Sequence, residues 1–218
     1  IGMDMDQEPA RVPRDLADGV AALSERFTRN RGDRMPSYQT DDRMRLAYLA
    51  YYLPVNLAKV QALLDELPPD AAPRPDHACG PPGKSFRVLD VGSGPGTATL
   101  AVLDWLMQRA APWSGSIDAI AVDHSAHALQ TCEVLWNRYG HGRAASTARL
   151  APIRTDLKRW RRVDDLPTAI RSASPYDLII VANTLNELFG TASDPVTRRA
   201  KLVRLLLDLL QEHGSLIL

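Results

Sequence analysis

The sequence contains little cysteine. Only Cys79 and Cys132 occur among its 218 residues, too few for a disulfide framework or for a zinc site with four thiolates. No group of histidine, cysteine and aspartate has the spacing of a zinc site either, so we predict no metal. This cysteine usage favours a reducing compartment, and we expect the protein to be cytoplasmic.

The chain also lacks a charge excess and long apolar runs. Its 26 Lys and Arg residues balance 26 Asp and Glu residues, which excludes a uniformly basic nucleic-acid coat but leaves room for a local basic patch. No run of about 18 apolar residues occurs, so we predict no membrane span. The first sixteen residues, IGMDMDQEPARVPRDL, are too acidic for a signal peptide. The length allows one domain with a small extension.

Prolines divide the chain. Six of the sixteen prolines lie in residues 68–83, which predicts an extended linker. Before it, apolar residues at three- and four-residue steps predict helices over 13–28 and 41–67, the second kinked at Pro54. We therefore expect an N-terminal helical region (1–67), the linker (68–83) and a main domain (84–218).

Strands and helices alternate in the main domain. Short apolar runs predict strands at 86–91, 117–123, 148–153, 176–183 and from 215 onwards. Asp194 and Pro195 open a Leu-rich helix that we expect to end near His213 and Gly214. The alternation predicts an α/β fold with a doubly wound, mostly parallel, Rossmann-like sheet. Because the chain ends inside the fifth strand, we expect the domain to be incomplete at its C-terminus.

A glycine loop follows the first strand. VLDVGSGPGTAT places Gly92, Gly94 and Gly96 between a strand and a helix, where glycine allows tight turns and the close approach of a ligand. The spacing differs from the G-x-G-x-x-G of dinucleotide sites, and Asp90 stands two residues before the first glycine. A carboxylate there would repel a pyrophosphate and attract an ammonium group. These residues favour S-adenosylmethionine, which has an ammonium group and no phosphate, over NAD.

Two further carboxylates follow neighbouring strands. Asp123 ends the second strand and can accept both ribose hydroxyls of the cofactor. Asp156 follows the third strand, where it either receives the adenine amino group or is a solvated loop residue. Neighbours on the loop and strand ends complete the predicted cofactor site: Ser93, Thr97, His124, Leu157 and Asn183.

Three segments carry a family resemblance. DVGSGPGTA, VDHS and DLIIVANTLNEL resemble class I S-adenosylmethionine-dependent methyltransferases, over residues 86–218. YLAYYLP (48–54) and NTLNEL (183–188) are also similar to the methyltransferase-like family associated with the small ribosomal subunit, known from mitochondria and bacteria. The resemblance implies methyl transfer from S-adenosylmethionine, with ribosomal RNA or the small subunit as target.

The polar residues after the fourth strand are the candidate catalytic groups. Methyl transfer is an in-line displacement, so the protein mainly supplies orientation and a dry pocket. Asn183, Asn186 and Glu187 are expected nearest the methyl group, and Glu187 either acts as a general base or caps the next helix. Cys132 is expected to be a core residue rather than a nucleophile.

The charge is unevenly distributed. Residues 138–162, from Arg138 to Arg162, carry a net charge of +7, and RFTRNRGDR (26–34) adds four arginines against one aspartate. Both segments either contact phosphates or form a solvated basic face, and Trp160 either stacks on a base or covers the sheet. Three functions stay open: a methyltransferase acting on ribosomal RNA or the small subunit, a small-molecule methyltransferase with the N-terminal helices as a substrate lid, and a non-catalytic ribosome assembly factor.

Overall fold

The computed structural model describes residues 13–28, 41–68, 85–109, 116–141 and 148–218. The predicted linker after Pro68, and Arg29, Arg31, Arg34 and Arg143 of the basic segments, lie outside these residues. The helices are α1 Arg14–Thr28, α2 Asp42–Ala47, α3 Leu53–Asp65, α4 Thr97–Arg109, α5 Ala126–His141, α6 Thr168–Ala173 and α7 Pro195–Leu207. The strands are β1 Ser85–Val91, β2 Ser116–Asp123, β3 Ala148–Arg154, β4 Tyr176–Ile180 and β5 Leu210–Ile217.

All five strands are parallel, in the order β3-β2-β1-β4-β5. The chain runs outward from β1 to β3 and then returns to β4 on the other side of β1. This reversal places α4 and α5 on one face of the sheet and α6 and α7 on the other, as in doubly wound folds. The predicted fold class is confirmed, and the carboxyl ends of β1, β2 and β4 meet at one edge.

The core has one layer on each face of the sheet. Phe86 and Val88 of β1 point towards α4 and join a cluster that also contains Trp105 and Trp136. Leu89 of β1 belongs to the opposite cluster, which α6 and α7 cover. Because both faces of the central strands are buried, their sequences are almost continuously apolar.

The helix predicted over 41–67 is interrupted at its centre. The side chain of Asp41 accepts a hydrogen bond from the Met44 N–H and caps α2. A π-helical segment, Tyr48–Tyr52, separates α2 from α3, and the Leu53 N–H bonds to the Tyr48 carbonyl one residue further back than in an α-helix. Pro54 has no N–H to bond to the preceding turn. The interruption expected at this proline therefore takes the form of a wider turn just before it.

Helix α3 is attached to the main domain. Its Val60 and Leu64 are buried in the cluster under α4. Gln61 Nε2 donates a hydrogen bond to Asp104, which also accepts one from the Tyr139 hydroxyl. These contacts connect α3, α4 and α5 on one face of the sheet.

Two predicted boundaries near the C-terminus were wrong: the end of α7 and the start of β5, which lies at Leu210 and not at residue 215. Helix α7 ends at Leu207, and the residues expected to finish it, His213 and Gly214, lie in β5. Tyr176 pairs with Leu210 and Leu178 pairs with Ser215, so β5 bulges between the two pairs. A Cβ at Gly214 would stand 2.8 Å from the Tyr176 carbonyl oxygen, so this glycine permits the close approach of a bulge rather than ending a helix.

The burial of α3 predicts different effects for two neighbouring leucines. Leu64 is 1% exposed and Leu63 is 43% exposed. Leu64→Ala should lower the free energy of unfolding by about 2–5 kcal/mol, because it leaves a cavity against α4. Leu63→Ala is the matched control, and should change it by less than about 1 kcal/mol. Urea unfolding measures both values, and equal losses would show that α3 does not dock as described.

Candidate functional site at the carboxyl edge of the sheet

The three glycines of the loop have different surroundings. All have positive φ, 76° at Gly92, 53° at Gly94 and 88° at Gly96. An added Cβ would collide with the Thr184 side chain at Gly92 and with Cys132 Sγ at Gly96, whereas at Gly94 it would meet no atom within 4 Å. Gly92 and Gly96 therefore allow tight packing. Gly94 faces open space at the edge of the sheet.

Asp123 holds the glycine loop in place. Its Oδ2 accepts a hydrogen bond from the Gly94 N–H at 3.0 Å, and its Oδ1 accepts one from the Ser125 N–H at 2.7 Å. The side chain is buried. His124 Nδ1 lies 3.2 Å from Asp123 Oδ1, and this hydrogen bond raises the pKa of His124 while partial burial opposes the shift. Asp123 thus lies beside the glycine loop at the carboxyl end of β2, where it has a structural role.

Asp90 lies beneath the start of α4. It is 2% exposed, and its Oδ2 accepts hydrogen bonds from the Thr99 N–H at 3.0 Å and the Thr99 hydroxyl at 2.6 Å. Its Oδ1 has no partner among the residues that the structure describes. Burial raises the pKa of Asp90 to about 6, against the lowering effect of the two Thr99 bonds. One carboxylate oxygen thus stabilises the fold, and the other is available for a ligand.

Asp156 lies close to Asp123 because β3 is the neighbour of β2. The Thr155 N–H donates to the Asp123 carbonyl at 3.0 Å. Asp156 is exposed, and its Oδ1 caps a short 3-10 turn, Leu157–Arg159, by accepting from the Lys158 N–H. Leu157 is buried in the core. The structure therefore places Asp156 at the predicted edge, where the side chain already has a local role.

The start of α4 contacts the N-terminal helices. Ser93 and Thr97 are both buried beside the glycines. The Tyr48 hydroxyl of the π-helical segment lies 3.4 Å from Thr97 Oγ1. The N-terminal helices therefore lie next to the glycine loop and not on the remote face of the sheet.

The candidate catalytic residues lie on an irregular loop. β4 ends at Ile180 instead of continuing to Asn183, which has a positive φ of 58°. Residues 182–191 form turns, and α7 begins only at Pro195 with Asp194 as its cap. Glu187 therefore does not cap the next helix. Asn183, Asn186 and Glu187 are all exposed.

Thr184 connects this loop to the glycine loop. Its Oγ1 donates to the Gly92 carbonyl, at 3.2 Å, or to the Ala182 carbonyl, at 3.1 Å. Sequence analysis missed both Thr184 and Thr99. Thr99 ends the segment VLDVGSGPGTAT and Thr184 lies in NTLNEL, but nothing in these segments indicates their role, since each acts through a contact that only the folded protein creates.

Two other candidates belong to the core. Trp160 is 3% exposed, and its Nε1 donates to Thr155 Oγ1 at 3.4 Å. It covers the sheet, and the alternative that it stacks on a base is wrong. Cys132 is fully buried against Gly96, and burial raises the pKa of its thiol. Such a thiol is a poor nucleophile.

The described residues contain neither a metal-binding cluster nor a helix that could span a membrane. There, no group of three or more His, Cys, Asp or Glu side chains is placed to hold a metal ion. None of the helices described has both the length and the apolar character needed to cross a bilayer.

No family model and no curated protein matches the chain. Solved structures with a similar fold include a putative S-adenosylmethionine-dependent methyltransferase from Methanococcus maripaludis, at 11% identity and a TM-score of 0.41, over 96% of this chain and 65% of that one. Another is YjhP from E. coli, at 15% identity and a TM-score of 0.41, over 94% and 54% of the two chains. A third is magnesium protoporphyrin IX methyltransferase from Synechocystis PCC 6803 with bound SAM, at 16% identity and a TM-score of 0.41, over 94% and 75%. The chain thus spans about two thirds or less of the first two proteins, and the likeness concerns the fold alone.

The pKa of Asp90 predicts a pH-dependent contribution to stability. The pKa is about 6 in the folded protein against an ordinary value of 3.8, so the folded state binds an extra proton between these two values. The stability that Asp90 contributes is therefore complete below about pH 4 and is lost as the pH rises through 6.

Asp90→Asn should remove this dependence, because asparagine keeps the shape and one acceptor without the charge. Between about pH 4 and 7, the free energy of unfolding of the wild type should fall relative to that of the variant, by at most about 3 kcal/mol. Urea unfolding of both proteins across this range measures the difference in unfolding free energy. The contributions of the other carboxylates are common to both proteins and cancel in this difference. Parallel pH profiles would contradict the assignment.

Proposed function

We propose that this chain is an S-adenosylmethionine-dependent methyltransferase. The observation that supports it is the surroundings of Gly94. Its backbone N–H bonds to the buried carboxylate of Asp123, and an added Cβ would enter empty space. Ligands of open α/β sheets bind in such a crevice, beyond the carboxyl ends of the strands where the strand order reverses.

The donors and acceptors at this edge suit S-adenosylmethionine. A carboxylate has about four acceptor positions. Asp123 uses three of them for the Gly94 and Ser125 amides and for His124, which leaves one, on Oδ2, for a ribose hydroxyl. Asp90 Oδ1 is suited to the ammonium group of the methionine part. Two buried carboxylates would repel a pyrophosphate, so a dinucleotide fits less well. Asp156 and Leu157 follow the strand next to Asp123, and we assign them to the adenine end.

The chain contributes orientation rather than a covalent step. When bound, S-adenosylmethionine supplies a methyl group on a positively charged sulfur as the electrophile. Asn183, three residues after the end of β4, is the proposed polar group beside the acceptor, and Asn186 lies on the same loop. Glu187 is the proposed general base for an acceptor that loses a proton, in keeping with its exposure.

We propose a small molecule with an apolar or aromatic body as the acceptor. The support is an aromatic cluster on α1 and the π-helical segment. Phe27 and Tyr52 have ring centroids 5.2 Å apart, and Tyr48 stacks on Tyr52 at 5.9 Å. Tyr51 is half exposed. Because the Tyr48 hydroxyl reaches Thr97 at the glycine loop, this cluster is near enough to the proposed cofactor site to bind a flat acceptor.

Gly94 provides a direct test of the cofactor assignment. Gly94→Ala should abolish binding of S-adenosylhomocysteine in calorimetry, because its Cβ would fill the space left for the ligand. The free energy of unfolding should fall only by the backbone strain, about 1–2 kcal/mol. Gly190→Ala is the matched control, since its Cβ also meets nothing within 4 Å and no positive φ is involved. Normal binding by folded Gly94→Ala would overturn the assignment.

Substitution of Asp123 is a less selective test of the cofactor site than Gly94→Ala. Its carboxylate holds the Gly94 and Ser125 amides, so Asp123→Ala would disturb the loop as well as remove the ribose acceptor. A loss of cofactor binding by Asp123→Ala would therefore not distinguish a disturbed glycine loop from a missing ribose acceptor.

A second candidate function is binding to ribosomal RNA or the small subunit, with or without methyl transfer. The observation that favours it is the basic segment, in which seven described basic side chains are exposed: Arg138, Arg149, Arg154, Lys158, Arg159, Arg161 and Arg162. Against it, Trp160 is buried among them and offers no base-stacking surface. Local carboxylates also offset part of the charge, since Asp156 lies 3.9 Å from Arg159.

Salt dependence separates the two functions. If the basic segment binds single-stranded RNA, log affinity should fall with log salt concentration with a slope of about −0.7 per phosphate contacted. Reversing Arg159, Arg161 and Arg162 to Glu should flatten the slope. Reversing Arg198, Lys201 and Arg204 on the exposed side of α7 is the control with the same change in net charge. Equal, weak binding by all three proteins would leave only the small-molecule proposal.

A further inference from the structure

A groove of about 320 Å³ lies on the outer side of α5. The end of α2 and the π-helical segment form one side of the groove. Successive turns of α5 form the other. Its lining residues are Arg45, Leu49, His127, Gln130, Thr131, Val134, Leu135 and Arg138.

The groove combines apolar walls with positive charge. Leu49, Val134 and Leu135 are its apolar residues, and Val134 is 46% exposed. An exposed apolar side chain in a concave site indicates a ligand surface. The ionisable side chains that line the groove are Arg45, Arg138 and His127, and no carboxylate is among the lining residues.

Arg138 is the cation available to a ligand. Arg45 is already paired with Asp42, at 2.7 Å. Among the described residues no carboxylate pairs with Arg138, which lies near the C-terminal end of α5. A guanidinium group on an apolar wall is suited to bind carboxylate or phosphate through two parallel hydrogen bonds.

We propose that this groove binds a small amphipathic organic anion, with its carboxylate or phosphate on Arg138 and its apolar body against Leu49, Val134 and Leu135. The volume is near the lower limit for small-molecule sites. The complementary charge selects an anion over a neutral or cationic ligand. The inference does not rest on the proposed methyl transfer, because the groove shares no residue with the glycine loop.

A pair of fluorescent probes tests the charge and the apolar walls separately. 8-Anilino-1-naphthalenesulfonate has an anionic group on an apolar body, and N-phenyl-1-naphthylamine has the same body without the charge. In fluorescence titrations, Arg138→Gln should raise the Kd of the sulfonate about tenfold or more and leave that of the neutral probe unchanged. Arg198→Gln on α7, an exposed arginine with the same change in charge, should change neither.

A second variant locates the site. Val134→Glu places a carboxylate on the groove wall and should strongly weaken binding of the sulfonate probe. Circular dichroism and urea unfolding verify that each variant is folded, which is expected because both side chains are on the surface of α5. If Arg138→Gln and Arg198→Gln bind the sulfonate equally well, the proposed site is wrong.

Competition then identifies the anion. Decanoate and decyl phosphate have the same apolar chain with different head groups. Displacement of the sulfonate by either compound supports the proposal and identifies the preferred head group. Failure of both to displace it would overturn the proposal, whatever the result of the cofactor-binding experiment.

Discussion

The hydrogen bonds between the glycine loop and the end of β2 determine the geometry of the candidate site. Gly92 and Ser93 both donate backbone N–H groups to the Val122 carbonyl, at 2.8 and 2.9 Å, and Gly94 donates to Asp123. These bonds fix the loop from the neighbouring strand rather than from its own helix. The positive φ of Gly92, Gly94 and Gly96 lets the loop turn from β1 into α4 while it keeps these bonds. Because these bonds hold the loop backbone against the end of β2, the space next to Gly94 stays open.

The same arrangement places two carboxylates close together in a poorly solvated region. The charge of Asp123 adds to burial in raising the pKa of Asp90. Two like charges destabilise each other in such a region, and a ligand that brings a cation or hydroxyl donors relieves this repulsion. Phosphate would increase it. The electrostatics of the folded site therefore favour a cationic ligand without phosphate, as the sequence also did. The structure adds that both carboxylates are buried, which strengthens this preference.

The sequence predicted the first three strands best. β1, β2 and β3 were placed to within one residue, and in β1 and β2 the apolar runs are nearly continuous because both faces of each strand are covered. β4 ends three residues before its predicted end, because the apolar run continues into the loop after Ile180. The end of α7 was misplaced because a glycine such as Gly214 is typical both of a helix end and of a β-bulge. Only the approach to Tyr176 in the folded sheet decides between the two. Trp160 was left open for a similar reason, since tryptophan suits both a binding surface and a core. Thr99 and Thr184 could not be predicted, because their contacts with Asp90 and Gly92 form only in the folded protein.

The π-helical segment relates the N-terminal helices to both proposed sites. Consecutive residues of this segment serve the two sites: Tyr48 reaches Thr97 at the start of α4, and Leu49 lines the groove on α5. The wider turn here follows from Pro54, whose missing N–H removes one bond of a regular helix. A regular helix in its place would rotate Tyr48 and Leu49 relative to α3, while Val60 and Leu64 hold α3 in the core. The position of this proline therefore determines which side chains of the N-terminal helix face the glycine loop and which face the groove.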